Sequence, residues 1–150
     1  MKQQDLFKPA APPRKAFAIV ANIDGGSRGN PGPAAFGVVI RNAQGQVLAK
    51  VGDYLGSTTN NVAEYSGLLA ALDWAIREKH TSLKVFSDSE LLVRQMRGQY
   101  RVKNPDLKRL FERAQSLVRK LDLFSIEHVR RNSNRDADRL VNEVLDRRTR

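Results

Sequence analysis

The 150-residue sequence contains no cysteine, which excludes disulfide bonds and thiolate metal sites. This absence permits a reducing compartment without proving one. No apolar run approaches the roughly 20 residues that a membrane-spanning helix needs, and no signal-peptide pattern opens the chain. We therefore expect a soluble, cytoplasmic protein that has no membrane partner.

A nucleotide-binding loop is also missing. The Gly-rich stretch at 25–32 matches neither the G-x-G-x-x-G nor the Walker pattern, because it carries proline and leads into a predicted strand. Its glycines still allow a ligand to approach the backbone closely. No internal repeat is visible, so a single domain is expected at residues 16–150.

Positive charge is abundant but unevenly placed. The net charge is +10, of which residues 1–15 contribute +3, residues 16–93 contribute −1 and residues 94–150 contribute +8. This charge pattern has a near-neutral half that contains carboxylates and a basic half. It suits a protein that binds a polyanion and acts on it at an acidic site. On charge alone, a basic solvated surface without any partner is an equal alternative.

The first fifteen residues show no hydrophobic periodicity and are rich in proline, which predicts a disordered tail at 1–15. Within this tail the string QQDLF places apolar side chains where no core is expected. The string resembles the short peptide by which bacterial proteins dock on the replication sliding clamp, with Gln3, Leu6 and Phe7 as the candidate contacts. The alternative is an ordinary flexible terminus.

The hydrophobic pattern predicts an α/β domain. Apolar runs predict strands at 17–23, 35–41, 46–54, 83–87 and 124–129. Capping residues and apolar stripes predict helices from 58–61 to about Lys79, at 89–96, from Asn104 to about Leu121, and from 133–134 to about Leu145. The first three strands follow one another through tight turns and predict an antiparallel meander, whereas strand–helix–strand connections predict parallel pairing.

Asp24 directly follows the apolar run at 17–23, which is predicted to be a strand buried on both faces. A carboxylate in such a strand is costly to bury unless it is paired or binds a metal. The alternative is that Asp24 merely begins the turn.

Three other carboxylates occupy comparable places. Glu64 is predicted in the first turn of a helix, where it could simply complement the helix dipole. Asp88 directly follows a short strand, at the carboxyl end where open α/β sheets bind ligands. Asp138 lies in the first turn of the last helix, about 60° from Val141 at the centre of the apolar stripe. Asp136 lies about 140° from Val141 and is expected to face water.

Sequence spacing alone does not bring these four carboxylates together. If they converge, they repel one another and their pKa values rise. Such a cluster is stable near neutral pH chiefly when divalent cations fill it, and oxygen ligands suit magnesium. Two magnesium ions roughly 3.5–4 Å apart can activate a water and stabilise the leaving oxygen in phosphodiester cleavage.

At this point a family resemblance is visible. The chain from about Phe17 to Leu145 resembles ribonuclease H of type 1, in a form that lacks the basic protrusion. The matching segments are 24–32 (DGGSRGNPG), 59–64 (TNNVAE), 87–89 (SDS) and 134–138 (NRDAD).

The resemblance implies a ribonuclease H-like fold: a five-stranded mixed sheet, with three antiparallel strands plus two parallel strands, and helices on both faces. It maps four residues onto the family's catalytic, metal-binding carboxylates: Asp24, Glu64, Asp88 and Asp138. It maps a second set onto positions that hold the nucleic-acid strands: Asn30, Thr59, Asn60 and Asn61. The implied cofactor is a pair of Mg²⁺ ions, with Mn²⁺ as the alternative metal.

Two departures from the family pattern stand out. Many relatives carry a mobile histidine before the last helix, but the loop at 130–133 has none, and His128 is assigned to the preceding strand. We expect Arg131 to contact substrate phosphate there, although arginine cannot carry protons at neutral pH. Some relatives also insert a basic, Trp-bearing protrusion, where this chain has only residues 98–103.

By this resemblance we expect a monomeric endoribonuclease that cuts the RNA strand of RNA–DNA hybrids by a two-metal-ion mechanism and leaves 5′-phosphate ends. One alternative is a nuclease of the same fold that acts on double-stranded RNA. The other is a non-catalytic nucleic-acid-binding module, although a binder of polyanions gains nothing from four carboxylates.

Overall fold

The computed structural model describes residues 17–148, so the tail at 1–15 and its candidate clamp contacts Gln3, Leu6 and Phe7 lie outside the described part. The strands are β1 (Ile19–Ser27), β2 (Gly32–Asn42), β3 (Val47–Thr58), β4 (Ser82–Ser87) and β5 (Leu123–His128). The helices are α1 (Asn60–Arg77), α2 (Glu90–Met96), α3 (Pro105–Val118) and α4 (Arg135–Arg148). Within residues 17–148, none of them has the length and hydropathy to cross a bilayer.

The five strands form one mixed sheet in the order β3-β2-β1-β4-β5. Strands β1, β2 and β3 pair antiparallel through the predicted meander. Strand β4 pairs parallel with β1, and β5 pairs parallel with β4. This arrangement confirms the predicted fold class.

Strand β1 is longer than the sequence predicted. The glycines after Asp24 predicted a turn, but Gly25 to Ser27 stay in the sheet because they pair with residues 34–36 of β2. Strand β3 likewise continues beyond Tyr54, since Thr58 pairs with Gly32. Asp24 therefore lies inside a strand rather than at its end, and the interpretation that it begins a turn is wrong.

Helices cover both faces of the sheet. Helices α1, α2 and α3 pack on one face over the larger apolar core, to which β1 contributes Ile19, Ala21 and Ile23. Helix α4 packs on the other face over a smaller cluster. That cluster consists of Ala35, Val141, Val144 and Leu145, with Tyr54 packed against it.

Two glycines let helices approach the sheet closely at Asp24. A Cβ atom on Gly25 would lie 2.3 Å from the carbonyl carbon of Ala63 in α1. A Cβ atom on Gly37, the cross-strand partner of Asp24, would lie 2.7 Å from the carbonyl oxygen of Ala137 in α4. Both alanines directly precede a candidate catalytic carboxylate in the sequence. The two glycines therefore bring Glu64 and Asp138 to opposite sides of Asp24.

Replacing Gly37 by alanine is expected to destabilise the fold by about 1–3 kcal/mol, because α4 must move away from the sheet to admit the methyl group. Urea unfolding followed by circular dichroism measures the change. Gly26→Ala is the matched control in a neighbouring strand, since a Cβ atom there meets only the Asn60 Oδ1 atom at 3.9 Å. Equal stability of the two variants would contradict the close approach of α4.

Candidate active site

Four carboxylates from four different elements line one cleft of about 380 Å³. Asp24 comes from the middle of β1, Glu64 from α1, Asp88 from the residue after β4, and Asp138 from the first turn of α4. The structure therefore places side by side the four residues that the sequence singled out.

The carboxylates lie within metal-binding reach of one another. Asp24, Glu64 and Asp88 each offer one oxygen atom, and these atoms all lie within 4.8 Å of one another. Asp138 hydrogen-bonds with the Asp24 carboxyl group.

Glu64 lies one turn further into its helix than the sequence predicted. Helix α1 begins at Asn60 after the capping residue Thr59, so Glu64 lies in the second turn and no acidic residue occupies the first. The macrodipole acts mainly within the first turn. The interpretation that Glu64 complements the helix dipole is therefore not supported, and its carboxylate instead accepts a hydrogen bond from the Ser89 hydroxyl.

Burial and mutual repulsion raise the pKa values of two of these carboxyl groups. Burial is the largest cause that raises the pKa of Asp24 from its ordinary value, and the nearby Asp88 and Asp138 carboxyl groups add to it, so that the pKa reaches about 8. Burial also raises the pKa of Glu64 to about 7, with Asp88 adding to the shift and Ser89 and Arg131 opposing it. Without a cation, full ionisation of the cluster near neutral pH is therefore unfavourable.

This donor set fits a hard divalent cation. The clustered ligand atoms are carboxylate oxygens, with neither sulfur nor imidazole among them, and oxygen ligands suit magnesium, calcium or manganese. A bound cation would also compensate the repulsion that raises the pKa of Asp24 and Glu64.

Two serines fix the backbone on either side of Asp88. The Ser87 hydroxyl accepts a hydrogen bond from the backbone N–H of Ser89 at 3.0 Å, and the Ser89 hydroxyl accepts one from the N–H of Leu92 at 3.2 Å. Ser89 is thus the N-cap of α2 and also the donor to Glu64. Sequence reasoning found the helix start at Ser89 but missed this second contact, because the contact joins residues from different elements.

Asn134 ties α4 to β1. Its side chain is buried, and its Nδ2 atom donates to the backbone oxygen of Ile23 at 2.8 Å. Its Oδ1 atom accepts from the Nδ2 atom of Asn22 at 3.0 Å. The sequence predicted a helix cap at this position, but the side chain binds the strand instead. Asn134 therefore holds the start of α4 against the residues that precede Asp24.

Asn134→Ala is expected to destabilise the protein by about 1–3 kcal/mol, because it leaves buried polar groups of β1 without their partner. It should also slow catalysis, since Asp138 loses its fixed position beside Asp24. Thermal unfolding and substrate turnover measure the two effects. The exposed neighbour Asn132, replaced by alanine, is the control. If both variants matched the wild type, Asn134 would not position α4.

The candidate substrate-binding amides join α1 to the turn between β1 and β2. The Asn60 Oδ1 atom accepts from the backbone N–H of Ser27 at 2.8 Å and from its hydroxyl at 3.1 Å. The Asn30 Oδ1 atom accepts from the backbone N–H of Asn60 at 3.0 Å. Thr59 caps α1 by accepting from Val62. Asn60 and Asn61 line the cleft with the carboxylates.

Arg131 also lines the cleft, and its Nε atom lies 4.0 Å from the Asp88 carboxylate while its side chain is largely exposed. His128 lies in the strand before the last helix, as the sequence predicted. It is the exposed last residue of β5 and pairs with Ser87. Only a short connection joins α2 to α3. Its exposed Tyr100 lies under the Arg94 guanidinium, 5.3 Å from ring centre to Cζ.

Comparison with known proteins relates this chain to ribonucleases H. Residues 22–144 match the model of the reverse transcriptase-like family. The chain is 46% identical over 129 residues to the bifunctional protein Rv2228c of Mycobacterium tuberculosis, covering 85% of this chain and 35% of that protein. It is 42% identical over 134 residues to ribonuclease HI of Halobacterium salinarum, covering 89% of this chain and 67% of that protein. The chain thus spans about a third of the mycobacterial relative.

Solved structures agree with these sequence matches. The N-terminal RNase H domain of Rv2228c has a TM-score of 0.84 at 46% identity, over 87% of this chain and 94% of that one. LC11-RNase H1, solved in complex with an RNA/DNA hybrid, has a TM-score of 0.83 at 42% identity, over 88% of this chain and 99% of that one. The family model matches most of the domain, the fold matches nearly the full length of these structures, and the carboxylates stand in the expected order. The chain therefore belongs to the ribonuclease HI family.

Proposed function

We propose that this protein is a metal-dependent endoribonuclease that hydrolyses the RNA strand of RNA–DNA hybrids and leaves 5′-phosphate and 3′-hydroxyl ends. The observation that carries this proposal is the convergence of Asp24, Glu64, Asp88 and Asp138 in one cleft. The relationship to the Halobacterium ribonuclease HI and to the hybrid-bound LC11-RNase H1 supports the choice of substrate.

In this proposal the four carboxylates hold two Mg²⁺ ions, with Mn²⁺ as the alternative metal. When bound, the ions supply activation of the attacking water and charge compensation at the leaving oxygen. The protein contributes the geometry. Ser89 orients the Glu64 carboxylate, and Asn134 fixes the start of α4 so that Asp138 stays beside Asp24.

The amides at the start of α1 are suited to recognise the RNA strand. The Oδ1 atom of Asn60 is occupied by Ser27, which leaves its Nδ2 group to donate to substrate. Asn61 lines the same wall of the cleft. Contacts to 2′-hydroxyl groups distinguish RNA from DNA, and amide side chains can both donate to and accept from a hydroxyl.

A non-catalytic binding module explains the site less well. Asp24 is 8% exposed, and its burial beside two other carboxylates weakens the fold unless a cation binds. A protein that only binds polyanions gains no affinity from a cluster of carboxylates. The buried position of Asp24 therefore favours catalysis over binding alone.

Arg131 is proposed to contact a substrate phosphate from the loop before α4, with proton transfer left to water because a guanidinium keeps its proton. Arg131→Ala is expected to raise KM for the hybrid about three- to tenfold, since it removes one charge-assisted contact. Steady-state kinetics measure this change, and Arg119→Ala, at the exposed end of α3, is the control. If the rate and the substrate affinity both stayed unchanged, Arg131 would have no such role.

The experiment that tests the proposed function compares labelled RNA–DNA hybrid, double-stranded RNA and double-stranded DNA in the presence of magnesium. Cleavage of the hybrid with 5′-phosphate products is the expected result. Preferential cleavage of double-stranded RNA would assign the alternative substrate. Binding of these nucleic acids without cleavage of any of them would overturn the proposal in favour of a binding module.

A further inference from the structure

Arg28 lies in the catalytic cleft but has no part in the mechanism proposed above. Its backbone is held tightly, because its N–H donates to the carbonyl oxygen of Pro33 at 2.8 Å. The turn that follows needs two glycines: Gly29 has a φ angle of +100°, and a Cβ atom on Gly32 would lie 2.2 Å from the Arg28 carbonyl oxygen. The side chain therefore projects from a fixed point on the rim of the cleft.

The guanidinium reaches across the cleft to α4. Its Nη2 atom lies 2.7 Å from the Asp146 Oδ1 atom and 3.4 Å from the Asn142 Oδ1 atom. Asp138, Asn142 and Asp146 follow one another at four-residue intervals and thus share one side of the helix. At 1.5 Å per residue, Asp146 lies about 12 Å along the axis from Asp138. The guanidinium is thereby held away from the carboxylate cluster.

This arrangement places a second cation in the cleft that holds the four carboxylates. Arg28 and Arg131 are the two cationic residues among those that line the cleft. Arg131 lies beside Asp88, whereas Arg28 lies toward the far end of α4. The Arg28 and Asp146 side chains are 41% and 60% exposed, and exposed ion pairs contribute little to stability. Arg28 can therefore exchange Asp146 for a phosphate at little cost, and guanidinium–phosphate contacts are among the strong hydrogen bonds.

We infer that Arg28 binds a phosphate of the cleaved strand, next to the one that is hydrolysed, and that Asp146 holds the guanidinium extended until that strand enters. The inference rests on the proposed function, because it takes the RNA strand to be the one that enters this cleft. In the free protein, the ion pair with Asp146 places the guanidinium beside α4 rather than beside Asp24 or Asp88. Arg28 is thus a substrate-positioning residue of the RNA-binding wall.

The first test measures hybrid binding by fluorescence anisotropy in an Asp24→Asn background, so that it does not depend on cleavage. Adding Arg28→Ala is expected to weaken binding about five- to tenfold and to lower the slope of log affinity against log salt by about 1, the signature of one lost phosphate contact. Arg28→Lys should recover part of the affinity. Arg77→Ala is the matched control, because Arg77 forms an exposed ion pair on α1 and is not among the residues that line the cleft. It should change neither the affinity nor the salt slope.

The second test identifies the phosphate that Arg28 contacts. It uses a series of hybrids, in each of which one RNA linkage is replaced by an uncharged methylphosphonate next to a 2′-O-methyl sugar. One such linkage beside the cleavage site should weaken binding when Arg28 is present and have no further effect in the Arg28→Ala protein. Asp146→Asn should change affinity only while Arg28 is present. In the active enzyme, Arg28→Ala should raise KM and leave kcat within about twofold.

Three results would overturn the inference: an Arg28→Ala effect no larger than that of Arg77→Ala, an unchanged salt slope, or a loss confined to kcat. These outcomes are separable from failure of the proposed function. Intact hybrid binding that depends on Arg28, without cleavage by the active enzyme, would contradict the nuclease alone. Cleavage that is indifferent to Arg28 would contradict the inference alone.

Discussion

Asp24→Asn is expected to reduce hydrolysis of an RNA–DNA hybrid by about a thousandfold or more, because it removes the carboxylate at the centre of the metal-binding cluster. The same variant should be more stable than the wild type when no metal is present. Asparagine resembles a protonated carboxyl group in shape and carries no charge, so the burial and repulsion that raise the pKa of Asp24 to about 8 no longer oppose folding. The expected gain near pH 7 is about 1–3 kcal/mol.

Single-turnover cleavage with magnesium and urea unfolding in EDTA measure these two effects on the same preparations. Asp122→Asn is the matched control, since it removes one carboxylate from an exposed turn outside the cleft-lining residues. A variant that lost activity and stability together would indicate simple misfolding. A variant that retained activity would contradict the assignment of Asp24.

The stability of the metal-free protein is expected to fall as pH rises from about 4 to 8. The pKa values of Asp24 and Glu64 are raised in the folded state to about 8 and about 7. Between the unfolded and folded pKa values the native state binds more protons than the unfolded state, so raising the pH favours unfolding. Magnesium binds the ionised carboxylates and reverses this trend, because a ligand of the native state stabilises it.

Thermal unfolding from pH 5 to pH 8, with EDTA or with magnesium, tests this prediction. The rise in Tm produced by magnesium should be larger at pH 8 than at pH 5, and it should be strongly reduced in Asp24→Asn. Asp122→Asn should respond like the wild type. A magnesium effect that is the same at both pH values would indicate a cation site that does not involve Asp24 and Glu64.

The local sequence pattern was sufficient to predict most of the fold. The cap at Asn104 was predicted, and the cap at Thr59 lies within the predicted capping residues 58–61. Both are local, because each side chain accepts hydrogen bonds from N–H groups two or three residues ahead. The strand extension through Gly25 to Ser27 could not be predicted in this way. Cross-strand pairing with β2 overrides the preference of glycine for turns there.

The site depends on contacts that sequence spacing does not contain. Four carboxylates separated by 40, 24 and 50 positions were related to one another only by family resemblance. Their closeness depends on Gly25 and Gly37, where a backbone without Cβ lets α1 and α4 approach the sheet. The bond from Asn134 to β1 spans 111 positions, and that from Arg28 to Asp146 spans 118. The sequence predicted a helix cap at Asn134, and it made no prediction for a contact between Arg28 and Asp146.

We propose that Asp24, Glu64, Asp88 and Asp138 form one metal centre at the point of cleavage. Anomalous X-ray diffraction from crystals grown with manganese and a hybrid whose RNA strand carries a non-hydrolysable linkage tests it most directly. Two manganese peaks roughly 3.5–4 Å apart are expected, both within coordination distance of these carboxylates and of one RNA phosphate. Manganese bound elsewhere, or an RNA strand that passes the cluster without a metal between them, would contradict it.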